Sequence, residues 1–201
     1  MRGATTTNDE PAPRRRTRRH DPNRRERIAE VALEVIADRG LEGLTHRAIA
    51  ERADVSLSST TYHFADREAL IHAALDLAAD RFAAQVRRWA EEFEGLDREQ
   101  LAERLTDGVL AYIGDDGTRS AAVVEYELHV AALRRPELRE AAGRSARATV
   151  EALTPHFGPA VAATVPPLMT GLCLHAMTSP ATPAREEILT VLRQALAGTG
   201  S

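Results

Sequence analysis

Ser56, Ser58, Ser59, Thr60 and Thr61 place five hydroxyls within six residues, with Leu57 among them and Tyr62 and His63 directly after. Hydroxyls both donate and accept, and leucine or threonine methyls can meet a thymine methyl, so such a run suits the edges of base pairs. Serine and threonine are middling helix formers, because their side chains compete for backbone hydrogen bonds and threonine is β-branched. Local propensity does not account for their choice here; contact with an outside surface does.

A second group of chemistry-bearing residues lies further along the chain: Trp89, Tyr112, Tyr126, His129, Met169, Cys173 and His175. Small-molecule sites are mostly apolar with a few polar groups, which is the character of this set. Glu125 and Glu127 flank Tyr126, and a buried carboxylate facing a histidine can bind a cation or orient a polar ligand. On a helix the two glutamates are separated by about 200°, so at most one faces inward. Catalysis is not indicated. The seven histidines form no HExxH pattern, the single Cys173 has no CxxC partner, and no glycine-rich phosphate loop is present. His129, His156 and His175 are far apart in sequence for a metal site. No catalytic residue, metal ligand or cofactor is expected.

Helices must position both groups. Thr45 can cap a first short helix with Ala48, Ile49 and Ala53 on one face, and Ser56 can cap a second after the turn Ala53-Asp54-Val55. The pair forms a helix-turn-helix. Upstream, Asp21-Pro22 reads as an N-cap with a helix-starting proline, and Ile28, Ala32, Val35 and Ile36 recur at helical spacing up to Gly40, a C-cap. Leu41, Leu44, Val55 and Phe64 plug the turns, and Asp66 caps a longer helix.

The stretch from about Arg24 to Leu75 resembles the DNA-binding domain of the TetR (tetracycline repressor) family of one-component regulators. The family's second and third helices read roughly T-x-x-x-I-A-x-x-A-G-V-S-x-G-x-L-Y-x-H-F-x-x-K-x-x-L. Thr45, Ile49, Ala50, Ala53, Val55, Ser56, His63, Phe64 and Leu70 match, and Arg67 takes the place of the usual lysine. Asp54 replaces the turn glycine, which is admissible because Asp enters the left-handed region more readily than most residues. Ser58 replaces the recognition-helix glycine, and Thr60 and Thr61 replace Leu and Tyr. In a helix-turn-helix the second helix enters the major groove. By position, Thr45, Tyr62, His63 and Arg67 would hold phosphates, whereas Leu57, Ser58, Ser59 and Thr61 would face base edges.

Charge distribution agrees with a nucleic-acid partner. The 201 residues carry a formal charge of −4, yet Met1 to Arg27 holds nine Arg against four acids, and Ile71 to Ser201 thirteen Arg against eighteen acids. That asymmetry turns the N-terminal end toward phosphate. All 26 basic residues are Arg, a bias of base composition. Residues 1–20 read as a disordered Arg-rich arm, with Arg14, Arg15, Arg16, Arg18 and Arg19 serving either a minor groove or solubility. Residues 21–66 read as the helix-turn-helix domain and 67–201 as a ligand-binding and dimerisation domain.

The remainder is helical throughout. Leu70, Ala74, Leu77, Phe82, Val86, Trp89 and Phe93 form one stripe; Asp97 caps a helix ending at Gly114-Asp115-Asp116-Gly117; further helices run over 120–135, 136–157, 159–178 (kinked at its prolines) and 183–197. The prediction is an all-α fold of about nine helices. The uncharged stretch Ala160 to Ser179 only just reaches spanning length and carries Pro166-Pro167, so an interface helix suits it better than a membrane span. The lone Cys173 and the absence of an apolar run after the first charges fit the cytoplasm. The resemblance implies a ligand pocket and a homodimer whose last two helices pair as a four-helix bundle. The expected function is a ligand-responsive repressor binding a palindromic double-stranded operator, released by an unknown small molecule. The rival is a helical interaction module without specific DNA binding.

Overall fold

The computed structural model describes residues 23–114 and 116–197, without the side chain at position 116. The Asp21-Pro22 cap and the Arg-rich arm lie outside those residues. Among the described residues the fold comprises eight α-helices and three single 3₁₀ turns, and no strand occurs. α1 (Arg24–Arg39) starts after Asn23 and buries Ile28, Ala29, Ala32, Val35 and Ile36, the face its spacing predicts. It stops at Gly40, whose φ of 64° is a left-handed conformation that other residues enter only with strain. A Cβ at Gly40 would also lie 3.0 Å from Glu127 Oε1, so glycine lets the end of α1 approach the sixth helix closely.

α2 (His46–Arg52) and α3 (Leu57–His63) follow a 3₁₀ turn at Leu41–Gly43. α4 (Arg67–Ala90) leads out of the DNA-facing unit; α5 (Arg98–Gly114), α6 (Asp116–Arg134), α7 (Arg139–Thr178) and α8 (Arg185–Ala197) complete the chain. α5 opens with a reciprocal cap: Gln100 N donates to Asp97 Oδ1 at 2.8 Å and Asp97 N donates to Gln100 Oε1 at 2.9 Å.

Two large apolar cores result. One joins Ile28, Ile36, Leu44, Ile49 and Phe64 to Leu70, Ile71 and Leu75 of α4 and then to Val124 and Leu128 of α6. The helix-turn-helix is thereby welded to α4 and α6. The other joins Leu101, Leu105 and Val109 of α5 to Val161 and Val165 of α7 and to Ile188, Leu189, Leu192 and Leu196 of α8. Ile188, Leu189, Leu192 and Leu196 of the last helix are thus core residues, covered by α5 within the chain.

The expected kink in α7 also falls elsewhere. The break is at Gly158 (φ 81°, ψ 165°), the residue before Pro159, and the dihedrals stay helical through Pro166-Pro167. A residue preceding proline is driven out of the α region, and glycine accepts the resulting conformation at little cost. Counting the two halves of α7 separately gives the nine helices predicted. By length and composition, Pro136–Thr178 is apolar enough to cross a bilayer, and 22% of its apolar window is buried within the chain. Beyond Gly158 the outward residues Ala160, Ala163, Pro167, Gly171, Leu174 and Thr178 fall in one stripe of small or apolar side chains, with Thr170 and His175 exposed at its margins.

Candidate nucleic-acid interface and effector cavity

Local hydrogen bonds set the attitude of the recognition helix. Thr45 Oγ1 accepts from Ala48 N at 3.1 Å and Ser56 Oγ from Ser59 N at 3.2 Å, capping α2 and α3. Asp54 has φ 49°, which reverses the chain so that Val55 N donates to Ala50 O at 3.1 Å. Leu57, Ser58, Thr61 and Tyr62 then share one outward face, with Leu57 52% and Tyr62 84% exposed. Leu57 and Tyr62 thus stand clear of the folded core, free to meet an outside surface. Ser59 and His63 are half-buried on the flank, and the Tyr62 and His63 rings meet edge to face at 5.1 Å. Thr45 stands exposed at the start of α2.

Two residues make other bonds in this structure than the hydroxyl pattern and position implied. Thr60 is fully buried: its hydroxyl donates to Leu57 O at 2.8 Å and so must accept from His46 Nδ1 at 3.2 Å. It belongs to the scaffold. Arg67 turns inward, its Nε donating to Leu44 O at 2.8 Å and its Nη2 to Leu41 O. Those donors hold the 3₁₀ turn against the start of α4, leaving the guanidinium as a positioning group. Thr60→Val keeps the shape but leaves the His46 donor unpaired beside an already unpaired buried Nε2. We expect a loss of about 1–3 kcal/mol in urea unfolding; an unchanged midpoint would show the hydroxyl to be dispensable.

The second predicted group converges on a chamber of about 100 Å³ between α4, α5, α6 and α7. Trp89, Tyr112, Tyr126, His129, Met169 and Cys173 all line it. His175 does not: two residues beyond Cys173 it lies on the opposite side of α7, exposed, with Nε2 3.4 Å from Ser179 Oγ. Sequence reasoning passed over Phe82, Ser145 and Thr149, which also line the chamber. Ser145 carried a signal, being a polar residue in register with Ala141, Ala142 and Ala148 on the buried side of α7.

Of the two glutamates, Glu125 faces the chamber and Glu127 the turn at Gly40. Burial pushes the Glu125 carboxyl above the usual range, opposed by the Ser145 hydroxyl, which donates to Oε1 at 3.0 Å, and by the nearby His129. His129 Nδ1 donates to Glu125 O at 2.9 Å, so its tautomer is fixed. Burial likewise raises the Tyr112 and Tyr126 phenols, and the Cys173 thiol is pushed up to about 12, which makes it unreactive. The described lining holds one carboxyl, one imidazole and no guanidinium. Such a chamber of aromatic faces around a carboxyl favours a cation.

A family profile described as bacterial regulatory proteins, tetR family, matches residues 28–74, and one described as tetracyclin repressor-like, C-terminal domain, matches residues 96–198. The crystal structure of a candidate transcriptional regulator from Streptomyces coelicolor A3(2) is 31% identical, covers 87% of this chain and 99% of that one, and superposes with a TM-score of 0.74. The multidrug binding protein EbrR, solved with proflavin, is 35% identical over 86% of this chain and 99% of its own, with a TM-score of 0.67. EbrR has also been solved with ethidium. A helix-turn-helix-type transcriptional regulator of Xanthobacter autotrophicus is 45% identical over 51 residues, 25% of each chain, so this chain spans about a quarter of that relative.

Proposed function

The chain belongs to the tetracycline repressor family of transcriptional regulators, and from that premise we propose that it is a dimeric repressor released from its operator by a lipophilic cation. The observation that carries the cation is Glu125, a carboxyl set among Trp89, Tyr112 and Tyr126 with no guanidinium in the described lining. Proflavin and ethidium, the molecules held by EbrR, are aromatic cations, which supports the same class here. No chemical step is part of this reading, and the free Cys173 together with a DNA target supports a cytoplasmic protein.

The outward face of α3 reads the major groove, with Leu57, Ser58, Thr61 and Tyr62 toward the DNA and Ser59, His63 and Thr45 at its margin. A second copy, docked on the uncharged stripe of α7 beyond Gly158, presents the same face one helical turn or more away along a palindrome. α4 connects the two sites. Its first residue, Arg67, grips the carbonyls of Leu41 and Leu44, and some 36 Å of helix lie between that end and the one bearing Trp89. A ligand that fits the chamber better in the DNA-incompetent dimer shifts the balance by its differential affinity, typically about 1–3 kcal/mol. Repression needs only that the bound dimer exclude polymerase.

The test begins with selection of bound duplexes from a random pool by the full chain. Anisotropy with the selected duplex is then repeated with tetraphenylphosphonium, a cation too bulky to intercalate and too large for the chamber alone, so that it reaches beyond it. We expect sequence-specific binding that weakens about 5- to 150-fold with the cation. Weak, sequence-blind retention would instead leave a helical interaction module, and undiminished affinity at saturating cation would reject this effector class.

A further inference from the structure

Phe82, Trp89, Tyr112, Glu125 and Ser145 line two spaces at once: the inner chamber, and a groove of about 1020 Å³ running between α1, α4 and α6. The inner chamber, about 100 Å³, is far smaller than the roughly 300–1,000 Å³ that ligand sites enclose. A drug-sized molecule anchored at Glu125 therefore outgrows the chamber, and the groove is its continuation through the shared wall. Resting on the effector reading above, we propose that the effector is an elongated amphipathic cation, with its charged head at Glu125 and its apolar body lying in the groove directly against α1.

The groove is built for such a body. Leu33 and Ala37 of α1 face Ala78 of α4 and Val124 and Leu128 of α6 across it. The charges stand on its rim, where Arg81 of α4 is paired with Glu30 of α1. This ion pair ties α1 to α4 beside the groove, so a body lying between the helices bears on the helix that packs against Leu44 and Ile49. Length thus becomes the specificity determinant. A short cation stays in the chamber and touches no residue of α1, whereas a long one contacts the DNA-facing unit itself.

Trp89 is the sole tryptophan and borders both spaces, so its fluorescence reports occupancy in the full-length protein. Butyl- to decyltrimethylammonium, each below its micellar concentration, form the probe series. Affinity is expected to rise about fourfold per methylene, the ordinary gain for burying that group, and release of the selected duplex should appear only with the longer members. Ala121→Phe narrows the groove from an exposed position outside the chamber. It should weaken decyltrimethylammonium tenfold or more and leave butyltrimethylammonium unchanged, while Glu125→Gln weakens every member. An affinity that is flat with chain length and indifferent to Ala121→Phe would overturn the groove and leave the Glu125 site standing. Failure of every cation to perturb Trp89 would overturn both. The wild-type series decides the matter even if Ala121→Phe misfolds.

Discussion

Gly171→Arg is expected to yield a folded monomer whose operator affinity has dropped by about 10²–10⁴. A Cβ at Gly171 meets nothing within 4 Å, so the chain itself has room for the new side chain. Arginine is also the better helix former by about 1 kcal/mol, and the monomer should lose no stability. The partner is what the substitution disturbs. Gly171 lies at the centre of the stripe Ala160, Ala163, Pro167, Leu174 and Thr178, where small side chains allow two helices to approach closely. Across a two-fold axis one substitution buries two guanidiniums, each costing several kcal/mol without a counter-charge. The monomer then forfeits the effective concentration that the second half-site supplies, which is the origin of the expected factor. Sedimentation and anisotropy on the same sample check it. A variant that remains dimeric with full affinity would remove this face of α7 from the interface.

The parts of this molecule written in short-range chemistry were legible from sequence. Thr45, Ser56, Asp66 and Asp97 all accept from the backbone three residues on, because an N-cap needs only its own helix. Asp54 adopts a positive φ for an equally local reason. What depended on a distant neighbour was not legible. The hydroxyl of Thr60 looked like its neighbours until His46 of the preceding helix claimed it, and Arg67 looked like a phosphate ligand until two carbonyls more than twenty residues away took its donors. The stripe of α8 announced burial but not by what; α5 settled that. In the chamber, aromatic and polar residues on apolar helices drew attention, whereas Phe82 and Thr149 resembled routine core and surface. The choice between Glu125 and Glu127 required knowing which side of α6 met the turn at Gly40, a fact of tertiary packing alone.

Glu125→Gln should move stability and response in opposite directions, and pH should separate them. The folded protein holds this carboxyl above its unfolded value of 4.5, chiefly through burial. A group raised in this sense adds stability below the unfolded value, and that contribution is lost as pH rises through the folded value. Near neutrality the wild type therefore carries a buried group pressed to ionise in a place that disfavours the charge. Glutamine keeps the shape and does not titrate, so the variant should melt higher than the wild type at neutral pH, with the difference vanishing below about pH 4. Ligand binding runs the other way. A cation at Glu125 draws out the carboxylate, so wild-type affinity should climb with pH and binding should release a proton. The glutamine variant should bind about 10- to 100-fold more weakly near neutrality, the scale of two charges about 6–10 Å apart in protein surroundings, and with a shallower pH slope. Calorimetry with tetraphenylphosphonium in buffers of different ionisation enthalpy reads both the affinity and the proton. Equal affinity and equal pH slope in the two proteins would show that Glu125 is only a tolerated core residue, and the response would then have to be read from another group in the chamber.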